Sequence, residues 1–324
     1  MTSMRILVTG GAGYIGSHTV RALLARGDDV AVVDDLSTGH RDFVPQSVLL
    51  HVESLLSGAE IEKILRAFRA EAVIHFAARA LVGEDRRNPE LYYSTNVTGT
   101  LSLLDAMIRA DVRRIVFSSS CAVYGEPKMP VLTEDHPLQP ISVYGETKRV
   151  MENAIAAYGE RYGWTWAALR YFNAAGASAD ASIGERHRPE THLIPNAIRA
   201  ALGQGPSMTV FGQDYPTPDG TPIRDYVHVE DLAAAHVAAL DLDRSATLNL
   251  GTGHGASVLE VISEVERATG QSVPRVTAAR RPGDPARLVA SAERVRTMLN
   301  WAPRYDLERT IASAVRWARK EEAR

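Results

Sequence analysis

Short apolar runs alternate with longer stretches of helical period along the first half of the chain. Residues 5–9, 30–33, 48–52, 72–76 and 114–118 each read as a buried strand, and helices are expected through about residue 26, near 59–70 and from about 89 to 110. A helix over 144–162 and a strand over 166–173 continue the series. Strand and helix in alternation specify a parallel sheet covered on both faces, and ligands of such sheets bind beyond the carboxyl ends of the strands. Gly10, Asp34, Ala77 and Ser120 all fall there. Beyond Asn173 the pattern loosens. Residues 174–225 are richer in Gly, Pro, Asp and His, with one helix near 193–202 and a proline-broken loop over 214–221. The expected fold class is α/β: a Rossmann-type doubly wound parallel sheet over 1–173, with 226–254 returning to it, and a smaller α/β substrate-binding domain made of 174–225 and 255–324.

With 324 residues, 45% of them hydrophobic, the chain can bury a large core. A formal charge of −3 gives no basic surface for nucleic acid or an anionic membrane, so each cation must be judged singly as a local phosphate ligand. Cys121 is the only cysteine; no intrachain disulfide can form, and a reducing cytoplasm is the simplest compartment. No apolar stretch approaches the ~18 residues of a membrane span, and the first apolar run feeds a glycine turn rather than a signal-peptide pattern. No metal-ligand set is expected.

Two motifs carry chemistry. Strand 5–9 runs into Gly10-Gly-Ala-Gly-Tyr-Ile-Gly16 and then a helix, an order that lets glycines at 10, 13 and 16 form a tight turn and bring backbone N–H groups close to a pyrophosphate. The second strand ends at Asp34-Asp35, where Asp34 can accept from a ribose hydroxyl and repel a 2′-phosphate, which favours NAD over NADP. The other motif is Tyr144-Gly-Glu-Thr-Lys148 at the start of a helix. Residues i and i+4 share a face there, so phenol and ammonium act on one ligand, and a hydroxyl from the strand end at Ser120 completes a proton-transfer site. A phenol near pKa ~10 becomes a general base when a Lys ammonium and a cationic nicotinamide favour the phenolate.

These residues resemble the extended short-chain dehydrogenase/reductase family, and within it the UDP-hexose 4-epimerases, over nearly the whole chain. The resemblance rests on Gly10–Gly16, His75-Phe-Ala-Ala78, Asn96-Val-Thr-Gly-Thr100, Ser118-Ser-Ser-Cys-Ala-Val-Tyr-Gly125, Tyr144–Lys148 and Arg170-Tyr-Phe-Asn173. Phe211-Gly-Gln-Asp-Tyr-Pro-Thr-Pro-Asp-Gly220, Arg224-Asp-Tyr-Val-His-Val229 and Arg280-Arg-Pro-Gly-Asp284 follow, and the first two of these are the more specific to the epimerases. The resemblance implies NAD as cofactor and a UDP-sugar as substrate, typically UDP-galactose converted to UDP-glucose by transient oxidation at C4. Ser120, Tyr144 and Lys148 are then catalytic. Gly10, Gly13, Tyr14, Ile15, Gly16, Asp34, Phe76, Ala77, Ala78, Asn96, Ser118 and Tyr171, with Tyr144 and Lys148, hold the cofactor. Asn173, His192, Leu193, Phe211, Arg224, Arg281, Asp284 and Leu288, with Ser120 and Tyr144, meet the substrate. It also implies a homodimer through the helices over 89–110 and 144–162.

The chain departs from the family at three places. Leu55-Leu56 stands where relatives carry an Asp-Ile that bonds adenine, Ala80 stands where they carry a Lys, and Leu288 occupies the position that gates a 2-acetamido group. Other readings are an epimerase of UDP-GlcNAc, UDP-xylose or UDP-glucuronate, a 4,6-dehydratase, and a non-catalytic NAD-binding protein. The dehydratase reading lacks its acid and base, because Cys121-Ala122 fills the place of the Asp-Glu pair.

Overall fold

Neighbouring side chains of the first strand, β1 (Arg5–Thr9), point to opposite sides of a sheet: Ile6 and Val8 enter one core and Leu7 the other, all fully buried. Burial on both faces is why the strand is a continuous apolar run rather than an alternating one. The computed structural model describes residues 3–81, 83–281 and 283–323, so Pro282 of the Arg280–Asp284 run lies outside the described residues. The chain continues through α1 (Tyr14–Arg26), β2 (Asp29–Val33), β3 (Leu49–His51), α2 (Gly58–Phe68), β4 (Ala72–His75), α3 (Pro89–Tyr92), α4 (Gly99–Ala110) and β5 (Arg114–Ser120). Next come α5 (Val143–Tyr162), β6 (Thr165–Tyr171), β7 (Asn173–Ala175), α6 (Leu193–Ala201), β8 (Met208–Phe211), β9 (Ile223–His228), α7 (Val229–Ala239) and β10 (Ala246–Leu250). The chain finishes with β11 (Gly255–Ser257), α8 (Val258–Thr269), β12 (Arg275–Ala278), β13 (Arg287–Leu288), α9 (Glu293–Leu299) and α10 (Leu307–Glu322).

Seven strands form one parallel sheet in the order β10-β6-β5-β4-β1-β2-β3. Helices α1 and α7 bury Val20, Leu23, Leu232 and Ala235 against one face, and α2, α4 and α5 bury Ile61, Leu65, Leu103, Met107 and Ile155 against the other. This is the doubly wound Rossmann-type architecture expected from the alternation of elements. A second sheet is built around β9, which pairs in parallel with β7 and β13 and antiparallel with β11, and a parallel β8–β12 pair lies beside it. Helices α6, α8 and α10 close a separate core around Ile198, Val265 and Ile311.

Two elements differ from the sequence reading. The strand expected over 166–173 is two strands: β6 ends at Tyr171, and past Phe172 the chain leaves the large sheet to pair with β9 through β7. Both sheets bury apolar residues, so local hydrophobicity does not mark where the chain changes partner. The helix expected over 89–110 contains a π-helical segment, Tyr93–Thr98, between α3 and α4, and it places the buried Asn96. Such bulges frequently accompany functional sites.

Candidate active site

The turn after β1 is shaped for close backbone approach. Gly10 has φ +72°, and a Cβ there would lie 2.6 Å from the Ala77 nitrogen; one on Gly16 would lie 2.2 Å from the Gly10 oxygen. Only glycine tolerates both positions. Gly13 caps α1 with no side chain to accept from the first helical turn, leaving the amide ends of Tyr14, Ile15 and Gly16 to serve an anion. The Tyr14 hydroxyl donates to the Gly176 carbonyl (2.6 Å), tying this helix to the chain beyond β7. At the end of β2, the buried Asp34 carboxylate accepts from Ala12 N–H and Leu36 N–H, each at 2.9 Å, and burial raises its pKa. A glycine cradle at a helix N-terminus beside a strand-end carboxylate fits the pyrophosphate and ribose of a dinucleotide.

The next wall follows β4. Phe76 and Ala77 donate from their backbones to Thr9 O at 2.9 and 3.2 Å. The segment through Ala78 and Arg79 is fastened by Asn96, whose Oδ1 accepts from Arg79 N–H (2.7 Å) and whose Nδ2 donates to Arg79 O (3.1 Å) and Thr147 Oγ1 (3.0 Å). With no exposed surface, the Asn96 side chain is committed to holding this loop on α5. His75 beneath it accepts from Thr9 Oγ1 at Nδ1 (2.7 Å) and donates from Nε2 to Thr100 Oγ1 (2.9 Å), whose own hydrogen goes to Asn96 O. Burial lowers its pKa to about 3, so the ring is neutral.

At the carboxyl end of β5 the proton-transfer residues meet. Ser142 caps α5, accepting from Gly145 N–H (3.0 Å), and so fixes where the helix begins and which face Tyr144 and Lys148 present. Lys148 is buried; its Nζ donates to Ser118 O (2.7 Å) and stands 5.8 Å from the centre of the Tyr144 ring. Burial lowers the ammonium to about 7, with Glu152 pulling it upward. Ser118 Oγ and the Tyr171 hydroxyl share a 2.6 Å hydrogen bond. Ser120 Oγ accepts from Ala122 N–H (3.2 Å), which leaves its own hydrogen to donate to the Tyr144 oxygen or to a ligand.

Without a ligand the Tyr144 phenol is not an activated base. Burial drives the half-buried phenol well above its ordinary value, the Tyr171 phenol adds to the rise, and a hydrogen bond from Ser120 opposes it. Lys148, with its Nζ 5.8 Å from the ring centre, does not offset this rise. Its ammonium is itself near its midpoint at neutral pH and is engaged by Ser118 O. The cationic nicotinamide expected beside Tyr144 is the further charge that would favour the phenolate. Cys121, one residue past Ser120, has its thiol pushed up to about 12 by burial, with the Arg224 charge opposing, so it supplies no acid or base at neutral pH.

On the second sheet, Arg224 donates from Nη1 to Ile223 O (2.7 Å) and forms an ion pair through Nη2 with Asp284. Leu288 is in register with Arg224 across the β9–β13 pair, half-buried against the cluster of Val123, Tyr124 and Phe172. Arg281 is exposed, and its guanidinium lies 4.1 Å from the centre of the Phe211 ring, a cation–π stack. Asn173 opens β7 beside Tyr226 and has no side-chain hydrogen bond among the described residues. His192 precedes α6 with Nδ1 turned to Glu185, while Leu193 packs on the second core. The structure thus gathers Ser118, Ser120, Tyr144, Lys148 and Tyr171 in one knot and pairs Arg224 with Asp284 and Arg281 with Phe211.

Two supports escape a reading of the sequence alone. Behind Lys148, Glu152 holds Arg170 in a bidentate pair (2.9 and 2.6 Å) and accepts from Ser119; Arg170 also donates to the Tyr124 oxygen (3.1 Å). Asp225 takes four donors, Thr252 N–H and Oγ1 and the N–H groups of Gly253 and Ala290, and ties β9 to the turn after β10. Leu55 is core packing under α2 and α4. The polar groups at that strand end are the half-buried Glu53 and Ser54, so the apolar Leu55-Leu56 pair does not by itself strip the site of polar atoms.

Residues 6–251 match the model of the NAD dependent epimerase/dehydratase family. A UDP-glucose 4-epimerase of Lactobacillus helveticus is 49% identical over 319 residues, covering 97% of either chain. The crystal structure of UDP-glucose 4-epimerase from Brucella ovis in complex with NAD superposes with a TM-score of 0.95 at 44% identity, covering 97% of this chain and 98% of that one. That of the Bifidobacterium longum enzyme in complex with NAD+ and UDP gives 0.93 at 37% identity, covering 98% and 99%.

Proposed function

The chain belongs to the NAD dependent epimerase/dehydratase family, and we propose that within it the protein is an NAD-dependent 4-epimerase of a UDP-hexose, interconverting UDP-galactose and UDP-glucose. The observation that supports this reading is the knot of Ser120, Tyr144 and Lys148 at the carboxyl end of β5, the same edge of the parallel sheet as the glycine turn after β1, with the Arg224 charge acting on the neighbouring Cys121. Held by the turn at Gly10–Gly16 and by Asp34, NAD would supply the hydride acceptor and donor for sugar C4 and a cationic ring that would favour the neighbouring phenolate. Tyr144 holds the proton of the 4′-hydroxyl, and Ser120 donates to the same oxygen. Lys148 keeps the phenol and the cofactor ribose in place through its anchorage on Ser118. The sugar must turn between the two transfers, so tight contacts belong on the nucleotide and loose ones on the hexose. Arg224, Arg281 and Asn173 serve the diphosphate, Phe211 the uracil and Asp284 the uridine ribose.

In this reading the dinucleotide domain comprises 1–173 and 226–254, and the UDP-sugar domain 174–225 and 255–324. The protein works as a cytoplasmic homodimer. The dimer reading is supported by large apolar side chains left exposed on α4 and α5, Leu101 and Tyr162; no helix among the described residues is long and apolar enough to cross a membrane. The test is to incubate purified protein separately with UDP-galactose, UDP-N-acetylgalactosamine, UDP-xylose and UDP-glucuronate and identify the products. UDP-glucose from UDP-galactose is expected, and a 4-keto-6-deoxy sugar, or no product at all, contradicts the assignment.

A further inference from the structure

The segment leading into α6 carries a second set of chemistry-bearing residues. Glu185, His187, Glu190 and His192 each offer one ligand atom, and the four atoms lie within 4.8 Å of one another. His187 Nδ1 is 3.1 Å from Glu185 Oε1 and 3.7 Å from Glu190 Oε2; His192 Nδ1 is 3.6 Å from Glu190 Oε1 and also lies against Glu185 Oε1. Ligand atoms held at zinc distances in a tetrahedron stand roughly 3.3–3.5 Å apart, the middle of that range. The two carboxylate side chains are only 6% and 5% exposed, and among the described residues neither is ion-paired to a Lys or Arg. Buried carboxylates require a compensating cation.

We propose that these four side chains bind one divalent transition-metal ion, zinc by the chemistry of the donor set. Two carboxylates and two neutral imidazoles balance the charge of such an ion, and imidazole donors select it over magnesium or calcium. Four protein ligands with no open position make the site structural rather than catalytic. Its surroundings show what it would fasten. The Tyr14 ring meets His187 edge-on with centroids 6.2 Å apart, and Trp317 Nε1 donates to Glu185 O (3.0 Å). The ion therefore joins the first turn of α1, the start of α6 and α10. Metal on Nδ1 of His192 also fixes the proton on Nε2, turning that nitrogen into a defined donor. The site shares His192 with the residues that the resemblance places on the substrate, but metal binding by these four side chains does not rest on the reaction assigned above.

The test uses the full-length protein freed of any histidine tag, loaded with Co2+ or Zn2+ and then dialysed against metal-free buffer. About one ion per chain is expected to remain, the cobalt form should show the intense visible bands of tetrahedral coordination, and zinc should raise the thermal midpoint. His187→Gln and Glu190→Gln should each weaken retention at least about tenfold, the lower end of the loss caused even by outer-shell changes. The wild-type cobalt spectrum reads the site even if a variant fails to fold. No stoichiometric ion, or a non-tetrahedral spectrum, or retention unchanged in both folded variants, overturns the proposal and leaves an ion-paired quartet of two imidazolium rings and two carboxylates.

Discussion

On the β5–α5 side of the site, Lys148, Ser118 and Tyr171 are locked together by the chain's own hydrogen bonds, and the Glu152–Arg170 pair backs them from the next turn of the helix. On the β9–β13 side, Arg281 is exposed and stacked on one ring, and Arg224 has a single carboxylate partner. The first side is prearranged and mostly buried; on the second the strand is firmly held through Asp225, but the cationic side chains have few partners and Arg281 is exposed. Where a proton moves, displacement of about an ångström costs orders of magnitude in rate, so the geometry must exist before the ligand arrives. Where a nucleotide is held while its sugar turns, a grip that adjusts is sufficient.

That contrast can be broken from either side. Tyr144→Phe should lower kcat by about 10²–10⁴-fold, the usual contribution of a general base, with NAD still retained; unchanged turnover would remove Tyr144 from the mechanism. Glu152→Gln should destabilise the fold by about 3–5 kcal/mol in denaturant titration, because it leaves the Arg170 charge buried and unpaired. Arg224→Lys should raise KM for the nucleotide sugar roughly tenfold while kcat changes little, since a point charge replaces a two-point grip but the proton site is untouched. A fall in kcat as large as that of Tyr144→Phe would show that the two sides are not separable.

A separate effect, cumulative over several buried histidines, concerns pH. Burial lowers His75 to about 3 and His18, His228 and His236 to about 4, against an ordinary 6.5. Between about pH 4 and 6.5 the unfolded chain binds protons that the folded chain refuses, so stability is intact above this window and falls as pH drops through it. Each histidine contributes up to about 1.4 kcal/mol per pH unit there. Denaturation midpoints at pH 7 and pH 5 check this, and equal midpoints would contradict it.

The same two sides explain what a reader of the sequence could see. The glycine turn and the Tyr144–Lys148 spacing are local patterns whose geometry follows from one turn or one helix, and the sheet follows from apolar runs buried on both faces. The Glu152–Arg170 pair joins α5 to β6, Arg170 reaches Tyr124 beyond β5, and Asp225 bonds to the turn after β10, so each exists only after distant segments have packed. The change of sheet at Phe172 is silent for the same reason. Glu185, His187, Glu190 and His192 lie close in sequence, yet their spacing matches no common ligand motif, and only the folded segment brings their four ligand atoms together. A Lys four residues from Tyr144 reads as a charge in the sequence, while its burial, which lowers its pKa, is a property of the whole core.

The central claim is that a hydrogen leaves C4 of the bound sugar and returns to the same carbon from the other side, without exchange with solvent. UDP-galactose carrying deuterium at C4, incubated with the protein in ordinary water, tests it directly. UDP-glucose with the deuterium still at C4 is expected; product in which C4 has lost its label to water would rule out direct return of the hydrogen.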